Sequence, residues 1–280
     1  MPSLGPLIDI PNLIGLLSTP GLRLLDVRRG ERYACGHLPD ATHFSVYGIN
    51  IFDTDPACMA SFVKMWAGQI GMAGISRDDT LVVYGDRTDE AAARAFWFME
   101  YLGHPRVAVL DGGFLAWSAA GHAIERVAEP PKAVAYRYEL DESRVATWRE
   151  VKAAIGAAET HILDTRSEQE WLGNDRRGTS RGGAVPGALH QEWKHNLAVD
   201  GRLRPVDELR ALYAERGLRP ENEVIAYCNT GYRSAHAYLA LRVLGYPRVR
   251  NYVGSWQEWA ERGECPIVRP ASGATLAPLA

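Results

Sequence analysis

The chain has 280 residues, 46% of them hydrophobic and 23% charged, with a formal net charge of −3. This is the composition of an ordinary globular protein, long enough for two domains. The small net charge gives no electrostatic reason to expect nucleic acid or an acidic membrane as partner, and no apolar run reaches the roughly 18 residues of a membrane span. The opening Met1-Pro-Ser-Leu-Gly-Pro lacks the basic region of a secretory signal, and Pro11 and Pro20 interrupt the apolar stretch that follows, so a cytoplasmic location is the expectation. Cys35, Cys58, Cys228 and Cys265 form no Cys-x-x-Cys pair, and no histidines stand at zinc-finger spacing. Neither a metal, a cofactor nor a disulfide framework is expected.

The predicted elements run in two similar series. The first opens with the strand Leu24-Leu25-Asp26-Val27-Arg28, then Gly36-His37-Leu38-Pro39-Asp40-Ala41. Next come the strand Leu81-Val82-Val83-Tyr84 and a helix ending at Leu102-Gly103-His104-Pro105, where Gly and Pro act as stop signals. Leu110-Asp111-Gly112-Gly113-Phe114-x-x-Trp117 closes the series. Between the series, Pro130-Pro131 cannot continue a helix, and the segment around them is expected to run extended as a linker. The second series begins at Thr147-Trp-Arg-Glu150, which has capping-box spacing. It repeats the anchors as Ile162-Leu163-Asp164-Thr165-Arg166, Gly183-Ala184-Val185-Pro186-Gly187-Ala188, Val224-Ile225-Ala226-Tyr227, Leu244-Gly245-Tyr246-Pro247 and Tyr252-Val253-Gly254-Ser255-Trp256-x-x-Trp259. Five anchors in one order mark an internal duplication. Strands alternating with helices imply, in each half, a mostly parallel sheet flanked by helices. The expected boundaries are an N-terminal domain over 1–127, a linker over 128–140 and a C-terminal domain over 141–280.

Cys228 carries the chemistry. It follows the apolar strand Val224–Tyr227 and precedes a helix expected from Ser234 through Leu244. Free N–H groups and the positive dipole end at a helix start favour an anion, and a cysteine so placed is expected to be a low-pKa thiolate. Gly231 suits such a loop because it can take φ > 0. Ser234 reads as the helix N-cap. Arg233 is positioned to favour the thiolate and to bind an anionic donor. Turn-forming habit explains Asn229 and Thr230 as well as side-chain hydrogen bonding does, and Tyr232 either walls the pocket or covers the loop. Trp256 and Trp259 read as core. Asp164 and Arg166 read as a structural ion pair, because Asp26 and Arg28 repeat it.

Taken together, these residues resemble the rhodanese family of sulfurtransferases in its tandem two-domain form, from about Leu7 to Val268. Tyr33-x-x-x-His37-Leu38-Pro39-x-Ala41 is similar to the family's N-terminal signature, with Asp40 where glycine is usual. Tyr252-x-Gly254-Ser255-Trp256-x-Glu258-Trp259 is similar to its C-terminal signature, with Val253 and, in the earlier motif, Ala184 departing from it. The resemblance implies two rhodanese-like domains, the first inactive. Either Asp86 or Gly85 stands opposite Cys228, depending on the anchor used, and neither is a nucleophile. Cys35, Cys58 and Cys265 are read as structural or incidental.

What the resemblance implies is transfer of a sulfane sulfur from thiosulfate to cyanide or a thiol, through a persulfide on Cys228. Asn229, Thr230, Gly231, Tyr232, Arg233 and Ser234 would form the anion-binding loop. A 3-mercaptopyruvate donor is the alternative, weakened because Glu170 stands where animal enzymes carry an arginine; Arg176, Arg177 and Arg181 are the cations available to replace it. A phosphatase or arsenate reductase would use Cys-x5-Arg, one residue longer than Cys228-x4-Arg233. A non-catalytic binding module would not need to keep the cysteine. The expected partners are a small anionic sulfur donor and a thiol or cyanide acceptor, and a monomer would suffice.

Overall fold

A computed structural model describes residues 4–127 and 130–271. The chain forms two compact units that do not follow its two halves. Unit 1 holds the described residues up to Ile49, Ala60–Asp141 and the short segment Leu197–Leu203. Unit 2 holds Asn50–Met59, Glu142–Asn196 and the described residues from Arg204 onward. Each unit therefore contains a segment from the other half of the sequence, which a reading by linear repeat does not anticipate.

Unit 1 is built on five parallel strands: β1 (Leu7–Ile8), β2 (Leu22–Asp26), β3 (Thr42–His43), β4 (Thr80–Tyr84) and β5 (Val107–Leu110), in the order β1-β5-β4-β2-β3. Unit 2 repeats the plan with β6 (Val145–Ala146), β7 (Thr160–Asp164), β8 (Leu189–His190), β9 (Glu223–Tyr227) and β10 (Val249–Tyr252), in the order β6-β10-β9-β7-β8. The inner strands are continuous apolar runs because helices cover both faces of a parallel sheet. Burying each Leu, Ile or Val of β4, β5 and β9 contributes about 2 kcal/mol.

One long helix follows the central strand of each unit, Glu90–Tyr101 after β4 and Tyr232–Val243 after β9. Both are buried nearly all round, Ala91–Met99 in the first and Ser234–Leu241 in the second. Both stop as the sequence predicts. His104 N–H reaches back to Met99 O at 2.9 Å and Tyr246 N–H to Leu241 O at 3.0 Å, closing the last turn over Gly103 and Gly245. The Thr147–Glu150 capping box is formed as expected. Residues 128 and 129, where the linker was expected to begin, lie outside the described set. Residues 130–141 have no regular structure and run along unit 1, with Val134 N–H on Gly71 O and Glu139 N–H on Leu102 O. No helix among the described residues is long and apolar enough to cross a membrane.

Candidate active site

The buried ion pair expected from the Asp-x-Arg repeat braces both units in the same way. At the end of β7, Arg166 Nη2 lies 2.5 Å from Asp164 Oδ2 and donates to Gly183 O at 2.7 Å. Its guanidinium lies 4.2 Å from the centre of the Trp256 ring. The Tyr227 hydroxyl donates to Asp164 and accepts from Val185 N–H. At the end of β2, Arg28 pairs with Asp26 at 2.6 Å, donates to Gly36 O and lies under Phe114, and the Tyr84 hydroxyl accepts from Leu38 N–H. These groups fix the mouth of each sheet. The expected core residue Trp259 is fully buried, and Trp256 is buried while also covering Arg166.

Cys228 follows β9 directly and is a free, buried thiol. Its Sγ accepts a hydrogen bond from Gly231 N–H at 3.1 Å. Gly231 has φ 84° and is itself the N-cap of the Tyr232–Val243 helix. This corrects the expected helix start. The glycine takes the left-handed turn that curls the loop around the sulfur, so the helix begins two residues before Ser234. Ser234 lies inside the first turn rather than at the cap, and its hydroxyl donates to Asn251 Oδ1 at 2.7 Å. Asn251, on β10, donates in turn to Gly231 O at 3.1 Å, locking the loop from behind. Asn229 Oδ1 is buried and accepts no hydrogen bond from any described residue.

The thiol is held below its ordinary pKa. Burial acts to raise it, but the Arg233 charge, the N–H and hydroxyl of Ser234 and the Thr230 N–H outweigh burial. The cysteine is thus biased toward a thiolate surrounded by N–H donors, without a metal. Among the described residues no His, Cys, Asp and Glu side chains cluster to hold one.

Three neighbours of the loop were not among the expected site residues. Ser255 accepts from Cys228 N–H at 3.1 Å and donates to Tyr252 O at 2.7 Å. It does so at φ 53°, a strained value for a residue with a side chain. Asn251 is the second. Glu170 is the third, and it changes the reading of Arg233. Its two carboxylate oxygens take both terminal guanidinium nitrogens of Arg233, at 2.6 and 2.8 Å. Arg233, expected to meet an anionic donor, is paired with a carboxylate of the chain. Glu170 is 3% exposed and Arg233 19%. Burial acts to raise the Glu170 pKa, but the Arg233 pair and the Ser167 hydrogen bonds hold it down at about 2. Ser167-x-x-Glu170 is a formed capping box, the spacing also seen in Thr147-x-x-Glu150, and that signal places Glu170 on the first turn after β7. Of the cations offered as replacements, Arg181 is engaged with the carbonyls of Trp259, Ala260, Arg262 and Cys265, and Arg176 donates to Ser180 O. Arg177 is exposed, and its carbonyl accepts from Gln257. Cys35 and Cys58 are exposed; Cys265 belongs to the unit 2 core.

In unit 1 the register is unambiguous. Phe114 N–H bonds Gly85 O and Leu115 N–H bonds Asp86 O, as Trp256 N–H bonds Cys228 O and Gln257 N–H bonds Asn229 O. Gly85, not Asp86, therefore occupies the cysteine position. A Cβ there would collide with both carboxylate oxygens of Asp89. Asp89 caps the Glu90–Tyr101 helix, accepting from Arg87, Ala91 and Ala92 N–H. A carboxylate fills the loop where unit 2 has a sulfur.

The rhodanese-like domain family matches this chain over residues 11–120 and 147–262. The chain belongs to the rhodanese family. It is 30% identical over 95% of its length to a thiosulfate sulfurtransferase of Azotobacter vinelandii, covering 97% of that protein. It is 33% identical over 90% of its length to the sulfur carrier protein TtuD of Thermus thermophilus, covering 93% of it. Its fold matches the crystal structure of SseA from Escherichia coli, described among 3-mercaptopyruvate sulfotransferases, with a TM-score of 0.78 and 24% identity over 90% of this chain and 99% of that one. This rhodanese is a tandem, two-unit transferase of the family.

Proposed function

We propose that this rhodanese moves a sulfane sulfur from thiosulfate to a thiol or cyanide, with Cys228 as the nucleophile. The observation that carries the reading is the buried Cys228 sulfur, lowered in pKa and bonded by Gly231 N–H inside the loop. The thiolate attacks the outer sulfur of thiosulfate; a new S–S bond forms, the old one breaks, and sulfite leaves with its electron pair. The acceptor then attacks the outer sulfur of the persulfide. That S–S bond breaks, the product carries the sulfur away, and the Cys228 thiolate returns. Both steps keep negative charge on sulfur at the loop, which the N–H groups of Thr230, Gly231 and Ser234 stabilise without reorganising. Asn229 and Tyr232, the remaining loop residues, complete the proposed donor site, and Arg233 contributes its charge from beside the sulfur. Thiosulfate is favoured as donor because the Azotobacter relative, matched almost end to end, carries that name.

The test is to incubate the protein separately with thiosulfate and 3-mercaptopyruvate and weigh it. A gain of one sulfur atom is expected with thiosulfate and should be absent in Cys228→Ser, whose turnover should fall at least about 10³-fold. No adduct with either donor would sink sulfur transfer. Loading by 3-mercaptopyruvate alone would overturn only the choice of donor.

A further inference from the structure

The Arg233 guanidinium is the principal charge acting to keep Cys228 ionised, and it is also bound through both terminal nitrogens to a carboxylate. Planar two-point pairing of this kind fixes the guanidinium plane as well as its charge. Glu170 is in turn fixed by Ser167, whose hydroxyl and N–H meet Glu170 Oε2 at 2.9 and 3.2 Å. Asp164 and Arg166, at the end of β7, are satisfied by each other. The charge that Arg233 presents beside Cys228 is therefore screened by one carboxylate, on an element remote in sequence from the loop.

We propose that Glu170 is a specificity-determining positioning residue: it holds Arg233 beside Cys228 while screening it, so that neither an anionic donor nor its anionic product is gripped by a bare guanidinium. The inference rests on Cys228 being the reactive thiol. An unscreened arginine would bind thiosulfate and the departing sulfite alike, and binding that ground state and product share adds affinity at the expense of turnover. Screening leaves the N–H cradle, which follows the charge on the reacting sulfur, to do the stabilising.

The test reads the thiolate directly, apart from sulfur transfer. The rates at which neutral iodoacetamide and anionic iodoacetate alkylate Cys228 are measured across pH in the native chain, in Glu170→Gln, which keeps an acceptor for Arg233 and the capping-box residue type, and in Glu170→Asp, which keeps the charge. In Glu170→Gln the alkylation midpoint should fall by about one pH unit and the iodoacetate-to-iodoacetamide ratio should rise about fivefold. Glu170→Asp should keep the native ratio. In turnover with thiosulfate, Glu170→Gln should lower KM and kcat together, with a smaller KM change for the singly charged 3-mercaptopyruvate. An unchanged ratio, or a midpoint that rises, would overturn the proposal. Should Glu170→Gln fail to fold, the native chain alone decides: a ratio within about threefold of that of a small free thiolate supports screening, and a preference for iodoacetate above about tenfold overturns it. Failure of Cys228 to alkylate at all would sink the functional reading instead.

Discussion

Each unit carries a loop between its central strand and the helix that follows it, and the two loops differ in what they enclose. After β9 the loop surrounds the Cys228 sulfur, and only Asn229 and Thr230 separate it from the N-cap Gly231. After β4 the same place holds Gly85; Asp86, Arg87 and Thr88 separate it from the N-cap Asp89, whose carboxylate folds back over the glycine. In both, backbone N–H groups at a helix start face an anion. In unit 2 that place is taken by the Cys228 sulfur, the proposed nucleophile. In unit 1 it is the carboxyl group of Asp89, which caps the helix. Unit 1, with glycine in place of the cysteine, does not leave the loop empty; one extra loop residue lets the chain supply its own occupant.

The largest expected difference lies in the ion pairs that frame the loops. Asp164→Ala would strand a fully buried Arg166 and should cost about 3 kcal/mol or more in chemical denaturation. Asp26→Ala should cost less, because Arg28 has a second carboxylate, Asp86, at 3.5 Å. Equal losses would mean that Asp86 gives Arg28 no support.

Next in size is an attempt to give unit 1 the missing nucleophile. Gly85→Cys should cost about 2 kcal/mol, since its Cβ would meet the Asp89 carboxylate. Adding Asp89→Gly should recover part of that loss and expose the new thiol to alkylation in a Cys228→Ser background. If Gly85→Cys alone is stable and reactive, the carboxylate does not fill the loop in the way described.

Much of this pattern was legible in the sequence. The duplicated anchors gave the tandem sheets, and Cys228 was placed between an apolar strand and a helix, where the structure has it. The choice between Gly85 and Asp86 was not legible, because the loops differ in length and only the carbonyl bonds from Phe114 and Trp256 fix the register. Ser234 misled as a cap because Gly231, itself in left-handed space, starts the helix without any capping side chain. The partner of Arg233 was hidden for a different reason: Glu170 lies far away in sequence, and its capping-box spacing reports its helix position, not what its outer face meets. The exchange of Asn50–Met59 and Leu197–Leu203 between units leaves no periodic signal at all.

A smaller effect separates the two loop anions by pH. Burial raises the Asp89 pKa from 3.8 to about 6, against the pull of its backbone N–H bonds. A carboxylate with a raised folded-state pKa supports the fold while protonated and loses that contribution as pH rises from about 4 through 6. Asp89→Asn, which still caps the helix, should therefore gain on the native chain over that window and keep the gain at pH 7. The expected size is about 1–2 kcal/mol, reduced from the full shift because the side chain is partly open to water. Denaturant midpoints at pH 4 and pH 7 measure it; a difference independent of pH would show that Asp89 ionises normally.

The finest contrast sits three residues beyond the last strand of each sheet. Gly113 in unit 1 and Ser255 in unit 2 take nearly the same left-handed backbone, φ 57° and 53°. Unit 1 uses the residue suited to that conformation, and a Cβ there would strike the carbonyls of Gly85 and Arg87. Unit 2 keeps a serine despite a strain on the order of 1 kcal/mol, and its hydroxyl is what meets Cys228 N–H. That bond fixes the backbone from which the sulfur projects. Ser255→Gly should therefore raise stability by up to about 1 kcal/mol while lowering turnover about tenfold, with Cys228 still alkylated. Were stability to rise with turnover intact, the serine would owe its place to something other than the nucleophile. Were stability to fall, its bond to Tyr252 O would outweigh the strain, and the difference between the units at this position would be one of packing alone.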